Sequence, residues 1–244
     1  RHARGLGKGK KSMEIDFENI KVVGFDADDT LWVNETYFRE VEERFAELLE
    51  GYETKNKIDQ ELFKMEMDNL SLYGYGIKGF MLSMIESALD LSQNKVSPNV
   101  LWEILDLGKD MISKPVELLD GVVEVLEALK GKYRLIVLTK GDLLDQERKL
   151  EKSGLSKYFS HVEVLSDKKE HNYANLLNHL NISTSEFLMI GNSLKSDVIP
   201  ILNLGGKAVH VPFHTTWAHE VVSNEAEING HITLNRIQGI LEYL

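Results

Sequence analysis

The run KVVGFDADDTLW, Lys21–Trp32, passes from apolar residues into three closely spaced carboxylates, a threonine and a tryptophan. Like charges repel, so crowding Asp26, Asp28 and Asp29 is destabilising unless a cation or a reaction offsets it. A β-rich stretch that ends in acids sets them down at the end of a strand. The residues that follow the other apolar runs decide whether this is an acidic turn or part of a site.

Four more short β-rich runs stand downstream: YRLIVL (133–138), HVEVL (161–165), EFLMI (186–190) and KAVHV (207–211). Amphipathic helical patterns alternate with them, in GDLLDQERKLEKSG, YANLLNHLN and DVIPILNLGG. This alternation predicts an α/β fold with a doubly wound parallel sheet and right-handed crossovers. The first connection is exceptional, because more than a hundred residues separate Phe25 from Leu135. One crossover needs far fewer.

That long connection is helical in pattern. ETYFREVEERFAELLE sets Phe38, Val41, Phe45, Leu48 and Leu49 on one face. GFMLSMIESALDL and SPNVLWEILDLGKDMI continue it, with Ser97 as N-cap and Pro98 in the first turn. The expected division is an α/β core at 13–33 and 116–244 and a helical insert at 34–115. KPVELLDGVVEVLEALKG then supplies the true first crossover. Residues 1–12, RHARGLGKGKKS, are basic and Gly-rich and read as a tag remnant or disordered arm.

Composition narrows the function. The 244 residues carry a net charge of -11, which argues against nucleic acid or an anionic membrane surface as the main partner. There is no cysteine, so disulfides and thiolate metal sites are excluded and a reducing cytoplasm is the expected setting. No apolar run approaches the roughly 20 residues of a membrane span.

In an open α/β sheet, ligands bind beyond the carboxyl ends of the strands. Asp26, Asp28 and Thr30 follow the first run, and Thr139 ends the second. Lys168 and Lys169 follow the third, and Asn192, Ser193 and Asp197 the fourth. On one edge these would combine carboxylates, hydroxyls and an ammonium, as phosphoryl chemistry requires.

In this order the residues resemble the haloacid dehalogenase-like hydrolase superfamily over residues 20–212. DADDT (26–30) fits its first motif, Thr139 its second, Lys168 its third and GNSLKSD (191–197) its fourth. The long insert is similar to the family's α-helical cap on its Rossmann-like core. The resemblance implies a magnesium-dependent phosphatase acting on a small phosphorylated metabolite through an aspartyl-phosphate. Asp26 would be the nucleophile, and Asp28 the acid and then the base. Thr139, with the backbone N–H groups of Lys140 and Gly141, would hold the phosphoryl group, and Lys168 would neutralise it. Lys168 is preferred to Lys169 because it lies nearer the strand end.

Magnesium would be bound by Asp26, the backbone carbonyl of Asp28 and either Asn192 or Asp197. Many family members carry Gly-Asp where this chain has Gly191-Asn192, and an uncharged amide implies weaker metal binding. The family's dehalogenases lack the second acid at position 28, so Asp28 favours a phosphatase over a dehalogenase. Asp29 and Thr30 are expected to shape the turn. Two further alternatives are a catalytically weak binding protein of the same fold and a signalling receiver domain, which would have no large insert.

Two other stretches invite attention. LYGYGIKGF (72–80) reads as a helix–helix connection, or as a loop where Tyr73, Tyr75 and Lys78 meet the substrate's leaving group. HVPFHTTWAHE, with His210, His214 and His219, is expected to form a loop beside the site.

Overall fold

A computed structural model describes residues 15–244, so the reading of residues 1–12 falls outside the described residues. The core is a parallel sheet of β1 (Val22–Phe25), β2 (Arg134–Lys140), β3 (His161–Leu165), β4 (Phe187–Gly191), β5 (Lys207–His210) and β6 (Ile232–Thr233). The strands lie in the order β3-β2-β1-β4-β5-β6. Thus β1 is central, with Val22 opposite both Arg134 and Phe187. The five expected strands are all present, and β6 adds a short sixth at the edge.

Alternate side chains of these strands feed two separate cores, as a sheet covered on both faces requires. Val23, Phe25, Leu135, Val137 and Ile190 pack on one face with α5 (Val122–Leu129). Val22, Ile136, Leu138, Phe187 and Met189 pack on the other with α7 (Glu170–His179) and α8 (Ile199–Asn203). Gly24 is needed for this packing, since a Cβ there would stand 2.6 Å from Cζ of Phe187.

Between β1 and α5 lie four helices, α1 (Glu35–Leu49), α2 (Lys55–Tyr73), α3 (Ile77–Leu91) and α4 (Pro98–Ser113). They enclose a third core around Phe45, Leu49, Ile58, Met84 and Ile104. Ser97 caps α4 by accepting from the Val100 N–H, and Pro98 occupies the first turn. The start of α1 is capped from outside the helix. The Asp29 carboxylate accepts the N–H groups of Asn34 and Glu35, and Asp29 itself adopts a left-handed φ of 61°. The turn after β1 therefore also anchors the first helix of the insert. Among the described residues, no helix is long and apolar enough to cross a membrane.

Candidate active site

The carboxyl ends of β1, β2 and β4 and the turns that follow them open into one pocket with roughly 1170 Å³ of empty space, continuous with solvent. Asp26, Asp28, Thr139, Lys140, Gly141, Lys168, Asn192 and Asp197 all line it. Lys168 stands at the centre of a buried trio, its Nζ 2.5 Å from Asp26 Oδ1 and 2.7 Å from Asp197 Oδ1. Lys169 instead points outward to Asp167 at 3.2 Å. Burial pulls the Lys168 ammonium toward neutrality, but the two carboxylates outweigh it and hold its pKa well above the ordinary range. With both carboxyls ionised the trio carries one negative charge in excess. Burial first, then Asp197, pushes the Asp26 carboxyl up to about 7, against the pull of Lys168.

The second oxygen of Asp26 accepts from the Thr30 hydroxyl at 3.1 Å and faces the side chain of Asn192. The Asn192 amide lies among Asp26 Oδ2, the Asp28 carbonyl and Thr30 Oγ1. With its nitrogen toward them, the distances are 3.0, 3.2 and 3.3 Å. With its oxygen toward them, the cluster consists of oxygens alone and calls for a cation at its centre. Such a donor set, beside an uncompensated carboxylate, fits a hard divalent ion such as magnesium. Asp197 is turned elsewhere: one oxygen takes Lys168 and the other accepts the Ser193 N–H at 3.0 Å. Its carboxylate is thus occupied with Lys168 and the Ser193 N–H, whereas the Asn192 side chain is the one that faces Asp26 Oδ2 and the Asp28 carbonyl. Gly191 leaves room for that carboxylate, since a Cβ there would lie 2.2 Å from Asp197 Oδ2.

Asp28 is held by three donors. Trp32 Nε1 lies 2.8 Å from its Oδ1, Lys149 Nζ 3.0 Å from the same oxygen, and Gln146 Nε2 2.7 Å from Oδ2. Gln146 and Lys149 lie three residues apart on α6 (Leu143–Ser153), hence on one face. Neither stood out in the sequence, although that spacing beside a strand end was a usable signal. Thr139 is buried, and its hydroxyl makes only a local 3.2 Å bond to the carbonyl of Lys140, a bond that a ligand oxygen could replace. The Lys140 side chain bonds Ser196 Oγ at 3.0 Å and Glu220 at 2.6 Å. Burial opposes ionisation of Glu220, but Lys140 and the hydroxyls of Ser193 and Ser196 prevail and lower its carboxyl to about 2. Glu220 belongs to the segment after β5 and had no motif to announce it.

The placement of Lys78 needs correction. It is exposed, pairs with Asp142 at 3.0 Å and does not line the pocket. Gly76, at φ 109°, brings the α2–α3 link so close to the turn after β2 that a Cβ would meet the Asp142 nitrogen at 2.5 Å. That approach directs Lys78 onto Asp142. The link is the expected helix–helix connection, yet its Tyr73 and Tyr75 do line the pocket. His210 holds the Asn192 carbonyl at 3.0 Å, and His219 stands 3.3 Å from the Tyr75 hydroxyl.

The family model for haloacid dehalogenase-like hydrolases matches residues 20–205. The chain belongs to this family. A haloacid dehalogenase-like hydrolase from Xanthomonas campestris is 36% identical, with a TM-score of 0.81 and coverage of 94% of this chain and 91% of that one. The N-acylneuraminate-9-phosphatase of Homo sapiens is 26% identical over 217 residues, 84% of this chain and 85% of the relative. A pyrimidine 5′-nucleotidase of Escherichia coli is 31% identical over 94 residues, 36% of this chain and 41% of the relative. This haloacid dehalogenase-like hydrolase thus has phosphatases among its relatives at low identity.

Proposed function

We propose that this hydrolase is a magnesium-dependent phosphatase that cleaves small phosphate monoesters through an aspartyl-phosphate on Asp26. The observation that carries the reading is the convergence of Asp26, Asp28, Thr139, Lys168 and Asn192 on one solvent-open pocket. The phosphatase relatives support the substrate class.

In this reading an Asp26 oxygen bonds to phosphorus as the ester P–O bond breaks, and the departing alkoxide takes a proton from Asp28. Asp28, now a carboxylate, takes a proton from water, whose oxygen attacks phosphorus and releases Asp26. Lys168 neutralises the phosphoryl oxygens, and Thr139 donates a hydrogen bond to them. Gln146, Lys149 and Trp32 fix the direction in which Asp28 points. Magnesium, held by Asp26, the Asp28 carbonyl and Asn192, would supply charge neutralisation between the carboxylate and the phosphate. The helices of residues 34–115 act as the cap that covers the leaving group.

Turnover of p-nitrophenyl phosphate with magnesium tests the reading. The wild-type protein hydrolyses it, and Asp26→Asn, which keeps the shape but removes the nucleophile, abolishes hydrolysis. Full activity in that variant would refute the assignment.

A further inference from the structure

The phosphate-holding groups of the proposed reaction come from separate turns. Thr139 and Lys140 end β2 and Gly141 follows it, whereas Lys168 is held by Asp197 from the turn after β4. Such groups must keep a fixed spacing, since small displacements around the reacting atoms cost rate steeply. One side chain from outside both turns bonds to each of them. Glu220, on a short turn at Ala218–Glu220, takes the Lys140 ammonium on Oε1 at 2.6 Å. Its Oε2 accepts the hydroxyls of Ser193 at 2.5 Å and of Ser196 at 2.6 Å.

Both ends of this bridge are tied down. Lys140 Nζ also donates to Ser196 Oγ at 3.0 Å and lies 4.1 Å from the centre of the Tyr75 ring, so its ammonium is engaged on three sides. Ser193 Oγ accepts the Ser196 N–H at 3.0 Å, and the Ser193 N–H binds the carboxylate of Asp197, whose other oxygen holds Lys168. A continuous chain thus runs from Glu220 through Ser193 and Asp197 to Lys168. The segment that carries Glu220 is anchored as well. Lys195 Nζ donates to the His219 carbonyl at 2.6 Å, and Arg39 to that of Thr216 at 3.2 Å. The side chains of Lys140 and Glu220 are only 14% and 12% exposed. Taking an ion pair out of water costs about as much as the attraction returns, so net stability explains this arrangement poorly and fixed geometry explains it better.

We propose that Glu220 is a positioning residue, which through Lys140 and the Ser193–Ser196 turn sets the spacing between the phosphate-holding backbone after β2 and the ammonium of Lys168. That these groups face phosphoryl oxygens rests on the phosphatase reading above, whereas the bridge itself stands on the contacts of Glu220.

The test compares the wild-type protein with Glu220→Gln, Lys140→Met and the double variant. Two quantities are measured well below each melting temperature: turnover of p-nitrophenyl phosphate with magnesium and, without turnover, the Kd for inorganic phosphate by calorimetry. Glu220→Gln keeps the shape but removes the charge, so kcat/KM is expected to fall about ten- to a hundredfold, mostly in kcat. The Kd for phosphate is expected to rise about tenfold. The double variant is expected to lose about tenfold less than the product of the single losses, as residues sharing one contact do. Glu225→Gln, exposed in the same segment, is expected to match the wild type, which separates position from net charge. A merely structural Glu220 would lower the melting temperature and leave these values unchanged. If the wild type hydrolyses the ester and Glu220→Gln matches it in kcat and phosphate Kd, the inference is overturned and the phosphatase reading stands. Single losses that multiply in full overturn it too. If the wild type hydrolyses no ester, the phosphatase reading fails and the Kd decides: equal affinity, or no phosphate binding by either protein, overturns the positioning role as well. Should Glu220→Gln fail to fold, Lys140→Met and Lys140→Arg carry the decision. Full activity in Lys140→Met overturns the inference, and a loss that Lys140→Arg partly restores supports it.

Discussion

Asn192 stands where the resemblance to this family implies an acidic residue. Its amide shares the oxygen face of Asp26 and the Asp28 carbonyl, but it brings no charge to offset a cation. Asn192→Asp is therefore expected to lower the magnesium concentration giving half-maximal activity, measured by titrating the metal at fixed ester. An unchanged or higher requirement would remove Asn192 from the ligand set. Glu66 gives a second test at this scale, in stability. Burial and Glu42 raise its carboxyl from about 4.5 unfolded to about 8 folded. The native state thus binds a proton that the unfolded chain has released between those values, so its contribution is complete below about pH 4.5 and is lost as pH rises through about 8. Glu66→Gln should flatten the decline in melting temperature from pH 5 to 8.5, though not abolish it, because Glu35 is raised in the same direction.

At the scale of elements, α6 delivers Gln146 and Lys149 to one carboxylate through a single helical face. Lys149→Met keeps most of the stem but removes the ammonium that holds Asp28 and also bonds Asn34 Oδ1 at 3.0 Å. We expect kcat to fall about tenfold or more with a smaller change in KM, since displaced catalytic groups lose rate steeply. Lys149→Arg should recover part of the loss, and steady-state kinetics on p-nitrophenyl phosphate would show both.

Elements also show what could be read in advance. The strands, the helical insert and the pocket-lining Asp26, Asp28, Thr139, Lys168 and Asn192 were legible because apolar period and strand-end chemistry are local signals. The helix α2 was missed because KNKIDQELFKMEMDNLSLY is polar nearly all round and buries only Ile58, Leu62 and Asn69. The turn at Leu194–Val198 runs as a π-helix, with Pro200 just beyond, so DVIPILNLGG yields only a short α8. Glu220 depends on which surfaces meet after folding, and no local pattern encodes that.

In the whole molecule, the insert core around Phe45 is separate from the two cores that flank the sheet. Its links to the sheet edge include the Lys78–Asp142 pair and a 3.2 Å bond from Tyr75 to Asp167. An exposed pair of this kind contributes about 0–1 kcal/mol, so the two bodies are joined lightly there. Phe45→Ala should cost about 3–5 kcal/mol within the insert. Hydrogen exchange should then speed in α1 to α4 while amides of β1, β2 and β4 keep their protection. Uniform loss across both regions would mean that the cores unfold together.

The central position of β1 also bears on how the polypeptide is made. Its hydrogen-bonded neighbours lie roughly 110 and 165 residues downstream. At a synthesis rate of about 5–20 residues per second, the first of them leaves the ribosome on the order of 5–20 s later. During that interval Val22–Phe25 waits as an unpaired apolar strand while the helices after it can already collapse, so this short segment is where a nascent chain would need shielding from its neighbours.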